Sequence, residues 1–180
     1  MTRRNTPRVS FIGFGEAGQA IASGLRDAGI ERIAAWDILF PEPAGDRLKA
    51  AGEKFGVRLA ASAADAVHET DMIISAVTAA SSFEAARSVV PHLTGNPYYL
   101  DINSVSPGRK QETAKLLGEK ARYVDVAVIA PIHPARHKTP LLIAGPHAEA
   151  ISPLLNEMEM KLSVVEGGTG AVTGYGGLVA

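Results

Sequence analysis

The chain has 180 residues, 46% hydrophobic and 21% charged, with 18 Lys and Arg against 19 Asp and Glu, a formal net charge of −1. That is room for one sizeable soluble domain, or a domain plus a fragment, and the near-neutral balance argues against nucleic-acid or anionic-membrane partners. Without cysteine there is no disulfide, thiolate metal site or cysteine nucleophile. No apolar run approaches the ~20 residues of a membrane helix and no signal-peptide pattern appears, so a cytoplasmic protein is expected.

After a polar leader (residues 1–7), an apolar strand from Val9 to Ile12 runs into Gly13-Phe14-Gly15-Glu16-Ala17-Gly18, a GxGxxG. An amphipathic helix follows to Gly29, and a second short strand ends at Asp37, 19 residues beyond the third glycine (37 − 18). Strand, glycine turn, helix and distal acid together form the dinucleotide fingerprint. Gly13 permits a sharp turn, Gly15 leaves room for a pyrophosphate, and Gly18 lets helix and sheet pack closely. The free N–H groups and dipole of the helix start hold phosphates, and Asp37 accepts from the ribose hydroxyls.

The alternation continues along the chain. Residues 44–55 read as a helix closed by Gly56 and 57–60 as a short strand. Ser62 with Asp65 opens a helix through Glu69, and 71–77 is a buried strand. Ser81 with Glu84 reads as a capping box for a helix reaching Val90. Residues 98–102 form a strand, and Ser106-Pro107 starts a helix ending near Gly118. Strands at 123–129 and 141–144, a helix at 148–161 bent at Pro153, and a strand at 162–165 complete the pattern. Strands separated by helices require right-handed crossovers. The expected fold is α/β, a doubly wound, mostly parallel Rossmann-type sheet over 8–166, followed by a glycine-rich tail (167–180).

Asp37 favours NAD, because a 2′-phosphate would stand beside its carboxylate. Residues 38–46 hold no base and two further acids, and the first cation after Asp37 is Arg47. NADP remains the alternative.

At these motifs the chain resembles the cofactor domain of the β-hydroxyacid dehydrogenases, the superfamily of 3-hydroxyisobutyrate and 6-phosphogluconate dehydrogenases. The resemblance covers roughly residues 8–170. It rests on GFGEAGQAIASGL, then DMIISAVT, whose Val77 and Thr78 take the places that flank the cofactor, with a further contact near Ser82. DINSVSP is similar to the family's Asp-x-Ser-Thr-x-x-Pro. This implies that Ser104 meets the nicotinamide ribose and that Asn103 borders the substrate. DVAVIAP departs from Asp-Ala-Pro-Val-Ser-Gly-Gly: Ile129, Ala130 and Pro131 stand where the family cradles a substrate carboxylate. Arg136, just beyond, is a candidate anion clamp, set against the plainer reading of an exposed loop arginine, whereas His133 and His137 flank Pro134 in a loop without a nearby carboxylate, a poor metal pattern.

In this family a lysine follows Gly-x-Gly-x-x-x on the helix leading to a second, all-helical domain. Gly168-Thr169-Gly170 begins the pattern, and the lysine's position is Gly174, followed by Tyr175. Six of the eleven residues from Gly167 to Gly177 are glycine, and each interior glycine costs a helix about 1 kcal/mol relative to alanine. The interdomain helix is therefore expected to form poorly, and the helical domain to be absent, through truncation, an altered end or a natural single-domain design. Loss of a positioned acid–base typically costs about 10²- to 10⁴-fold.

Two functions follow from the resemblance and the tail. One is the NAD(P)-binding part of an oxidoreductase acting on a small hydroxy or oxo acid, impaired in this form. The other is a non-catalytic NAD(H)-binding module. An imine-reductase-like enzyme, resting on Tyr175, ranks below both. The expected partner is a small-molecule substrate, and the apolar surface a second domain would cover could support a homodimer.

Overall fold

The computed structural model describes residues 6–172. Eight strands form a single sheet: β1 (Val9–Ile12), β2 (Ile33–Trp36), β3 (Arg58–Leu59), β4 (Met72–Ser75), β5 (Tyr98–Asp101), β6 (Arg122–Val128), β7 (Leu141–Ala144) and β8 (Leu162–Val164). Their order is β3-β2-β1-β4-β5-β6-β7-β8. Every neighbouring pair is parallel except β6 and β7. The chain winds outward one way from β1 to β3, then restarts beside β1 at β4. The crevice between the C-terminal ends of β1 and β4 is the switch point where such sheets bind ligands.

Side-chain alternation divides the core in two. Phe11, Met72, Ile74, Leu100, Val124 and Val126 face one side. There they meet α1 (Glu16–Asp27), α2 (Asp46–Phe55) and α6 (Ala148–Glu157). Ile12, Ile73, Tyr99 and Tyr123 face the other, against α3 (Ala63–Val67), α4 (Ser82–Val89) and α5 (Pro107–Leu117). The central strands are buried on both faces, which is why they read as near-continuous apolar runs, while the edge strands β3 and β8 are partly exposed.

Several helix ends follow from capping chemistry. Ser62 accepts from Asp65 N at 3.0 Å and Ser106 from Arg109 N at 3.2 Å, each satisfying an orphan donor. The capping box expected at Ser81 does not form. Ser81 already has helical φ/ψ, and its hydroxyl instead accepts from Thr78 Oγ1 at 3.0 Å. Helix α6 stops at Glu157, short of the expected Lys161. Glu159 adopts a left-handed conformation (φ 63°) and Met160 N donates back to Leu155 O, a helix-stop geometry. The helix expected from Ala44 begins at Asp46 after one 3₁₀ turn.

The loop between β6 and β7 (129–140) contains no long helix, so β7 returns antiparallel. It folds back along α1, where the imidazole of His137 sits against Gly24: a Cβ on Gly24 would lie 2.1 Å from His137 Nδ1. Residues 167–172, expected to lie beyond the domain, pack on it, with Val172 buried against Ala127 and Ala144. Gly174 and Tyr175 lie outside the described residues, so the missing lysine and the tyrosine have no structural counterpart here.

Candidate dinucleotide cleft

A cavity of about 590 Å³ opens at the C-terminal ends of β1, β2 and β4. Its floor is the glycine turn. Gly13 has φ +92°, and a Cβ there would lie 2.1 Å from Ala76 O, so no other residue fits between the two strand ends. A Cβ on Gly18 would lie 2.7 Å from Gly13 O, which fixes the close approach of α1 to the turn. Gly15 differs: a Cβ there meets nothing within 4 Å. Its missing side chain faces open cleft, a cradle suited to a phosphate rather than a packing requirement. Beyond it the first N–H groups of α1 have no intrahelical acceptor, and Gly15 supplies no side-chain cap. The turn therefore fits a pyrophosphate.

Asp37 stands at the rim. Its Oδ2 accepts from Phe14 N and its Oδ1 from Leu39 N, both at 2.9 Å. These bonds tie the β2 end to the glycine turn and hold the carboxylate in the cleft wall, each oxygen keeping a lone pair for a hydroxyl donor. Aromatic contacts stiffen the same corner: Trp36 meets Phe40 edge-on at 5.9 Å, and Phe40 meets Phe14 at 6.4 Å. Phe14 is fully buried, so only its backbone serves the site. Ile38 (73% exposed) and Leu39 (40%) are large apolar side chains left open on the cavity wall, an apolar rim suited to a flat base.

The opposite wall carries Val77, Thr78, Ser81 and Ala85. Glu16 and Ala17 also line the cavity. Ser82, expected here, is buried inside α4 with its hydroxyl unpaired; the one-residue helical rotation puts Ser81 on the cleft instead. Ser104 is exposed in the loop after β5 and outside the cavity wall.

Asn103, expected to border a substrate, is buried and committed to the scaffold. Its Nδ2 donates to Ser75 Oγ (3.0 Å) and Asp101 Oδ1 (2.8 Å), and its Oδ1 accepts from Val77 N (2.8 Å). Ile129 and Ala130 are half-buried past the end of β6, and Ile129 packs with Ala127, Ala144 and Val172.

Arg136 is a correction. The 129–140 loop runs down α1, and the guanidinium bonds Asp27 Oδ2 (2.8 Å) and Ser23 Oγ (3.3 Å). Asp27 ends α1 roughly 18 Å from Gly15, and Ser23 lies roughly 12 Å away, at 1.5 Å rise per residue. Arg136 fastens a loop and faces no ligand in this cleft. His133 Nε2 lies 4.0 Å from Glu16, and among the described residues no group of three metal-ligating side chains comes together.

Below the strand ends lies a buried ionic cluster that the sequence reading missed. Lys110, on α5, is 1% exposed and donates to Asp101 O (2.6 Å) and Val126 O (3.3 Å). Its ammonium also faces Asp125 Oδ1 at 3.1 Å and Asp101 Oδ1 at 3.5 Å. Tyr123 donates to Asp101 Oδ2 at 2.8 Å, and burial together with Asp101 pushes its phenol far up, so it stays a donor. The clue was a lysine at the fourth position of a helix following a strand-end aspartate, inside an otherwise soluble-looking helix.

Residues 8–167 match the family described as the NAD binding domain of 6-phosphogluconate dehydrogenase. The chain belongs to this family. A conserved hypothetical protein from Sinorhizobium meliloti 1021 superimposes on this NAD-binding domain with TM-score 0.86 and 34% identity, over 95% of this chain and 57% of that one. A conserved protein of unknown function, described as structurally similar to 3-hydroxyacid dehydrogenases, gives TM-score 0.81 and 29% identity over 95% and 62%. The V8 variant of an imine reductase from Myxococcus stipitatus, solved with NAD+, gives 0.77 and 26% over 97% and 60%. The NAD-binding domain described here thus spans about 60% of the length of these relatives. It is an NAD(P)-binding, Rossmann-type domain of hydroxyacid-dehydrogenase-like fold, and no helix among its described residues is long and apolar enough to cross a membrane.

Proposed function

We propose that this chain is the cofactor half of an oxidoreductase that moves a hydride between nicotinamide and a small hydroxy or oxo acid, and that it prefers NAD. The observation that carries this reading is the Gly15 cradle opposite Asp37: space without a packing role at the helix start, and a carboxylate held at the ribose end by two backbone N–H groups. The bound nicotinamide supplies hydride acceptance and donation. The chain's own residues seat the phosphates on the first turn of α1, engage the ribose through Asp37, and wall the ring side with Val77 and Thr78. No base follows Asp37 before Arg47, which supports NAD over NADP.

The domain proper covers residues 8–166, with Ser104, on the loop after β5, assigned to the nicotinamide ribose and the small-molecule substrate to the open side beyond it. The family's acid–base position holds Gly174, which supports slow or absent turnover by this chain and keeps a non-catalytic NAD(H)-binding module as the second reading. A homodimer is the proposed association, in a cytoplasmic setting.

Titration with NADH, followed by assay against a panel of small hydroxy acids and their oxo forms, separates the readings. Turnover refutes the module; NADH affinity without turnover on any acid supports it; no NADH binding at all removes both.

A further inference from the structure

The Lys110 cluster is not part of the dinucleotide cleft, yet its bonds reach both the cleft wall at Val77 and the segment after β8 at Gly170. One arm runs from Lys110 to Asp101, from Asp101 Oδ1 to Asn103 Nδ2 and backbone N (2.8 and 3.1 Å), and from Asn103 Oδ1 to Val77 N. Val77 lies on the cleft wall. The other arm runs from Lys110 to Asp125 Oδ1, and from Asp125 Oδ2 to Gly170 N at 2.7 Å. Gly170 has φ +100° and sits against Pro107, where a Cβ would lie 2.9 Å from the proline Cβ. Gln111 Nε2 donates to the neighbouring Thr169 O at 3.3 Å. Residues 167–172 are thus seated on the start of α5 and the end of β6.

Two carboxylates sharing one ammonium, all at most 1% exposed, are costly to bury, and replacement by apolar side chains is often neutral or stabilising for stability alone. Such a cluster is better explained by what it holds in place. We propose that Lys110 is a positioning residue that couples the chain leaving the domain at Gly170 to the cleft wall at Val77. Through one ammonium, the departing segment and the nicotinamide side of the cleft are set in a fixed relation. Residues 167–172 are thereby held in a defined place relative to the cleft wall.

The arms are read separately by amide hydrogen exchange, because each ends on a backbone N–H with a single side-chain acceptor. Asp125→Asn deprives Gly170 of its charged acceptor while leaving the Asp101–Asn103–Val77 arm in place. Gly170 exchange should rise about tenfold, with Val77 exchange and NADH affinity unchanged. Lys110→Met should release both amides about tenfold and also weaken NADH binding several-fold. Should Lys110→Met fail to fold, Lys110→Met/Asp125→Asn removes the surplus carboxylate and is expected to give the same two-amide pattern. Acceleration of Gly170 alone in the lysine variants, or equal acceleration of all core amides, overturns the proposal and leaves Lys110 a local or global stabiliser only. Both amide readouts work without cofactor, so failure of the dinucleotide reading and failure of this one are distinguishable.

Discussion

Asp37→Ala isolates the proposed basis of cofactor choice. The carboxylate has two jobs: it accepts from Phe14 N and Leu39 N, and its charge faces the place where the adenosine ribose would lie. Losing the first loosens the glycine turn and weakens any dinucleotide. Losing the second acts only on a ligand carrying a 2′-phosphate. A phosphate group of nearly two charges about 5 Å from a half-exposed carboxylate, at an effective dielectric of about 40–80, is repelled by about 2–3 kcal/mol, or somewhat less after screening by salt. The NADH-to-NADPH affinity ratio should therefore fall by roughly ten- to a hundredfold. The shared structural loss cancels in that ratio. Trp36 is the only tryptophan of the chain and lines the cavity, so its emission, quenched by the reduced nicotinamide, reports both titrations. A ratio unchanged within about twofold, with both cofactors still bound, would show that Asp37 shapes the turn without selecting the cofactor.

Gly15→Ala should fold normally, since its Cβ meets nothing within 4 Å, yet lower NADH affinity about tenfold or more by filling the phosphate cradle; unaltered affinity would move the phosphates elsewhere. Gly18→Ala drives a Cβ to 2.7 Å from Gly13 O and should cost about 1–3 kcal/mol of stability, read by chemical denaturation. Gly24→Ala collides with the His137 imidazole; the loss, again about 1–3 kcal/mol, should be relieved in Gly24→Ala/His137→Ala, and an additive double variant would refute that contact. Burial is the main force pushing His137 below the ordinary histidine range, with Lys138 and Arg136 adding to it against Glu159 and Asp27. The unfolded chain binds this proton more readily, so stability falls as pH drops below about 6.5. His147 shifts the same way, so His137→Gln should flatten the loss of Tm between about pH 7 and 5 without abolishing it; an identical slope would refute the assignment.

What the sequence made legible was local. Gly13, Gly15, Gly18 and Asp37 lie within one βαβ unit, and their spacing alone put Gly13, Gly15 and Asp37 on one cleft with Gly18 packed directly beneath the turn. The strands were legible because a sheet buried on both faces demands unbroken apolar runs. Of the two readings of Arg136, anion clamp or plain loop arginine, the sequence could not choose, because the answer depends on where a twelve-residue loop travels and nothing in the loop's own residues says that it folds back onto α1. The contact that the resemblance put near Ser82 falls one residue earlier, since alignment by resemblance does not fix the rotation of α4: Ser81 lines the cleft and Ser82 is buried. Asn103 was found for its type, but its amide holds the ends of β4 and β5 together.

Lys110 was passed over for the opposite reason: a surface helix places lysines outward by default. Register explains the exception. Asp101 and Asp125 are paired across β5 and β6 and share the sheet face of Tyr99 and Tyr123, the face on which α5 lies. Alternation thus sends two carboxylates to the same inner surface, and a carboxylate pair left bare there would carry several kcal/mol of desolvation cost per ion. The fourth residue of α5 is the one that lies over them. Given that register, Lys110 supplies the compensating charge, and the donors of Asn103, Tyr123 and Gly170 satisfy further carboxylate oxygens. The polar residues at the C-terminal ends of these strands therefore form a continuous structure under the cleft, which a motif search confined to the glycine turn does not reach.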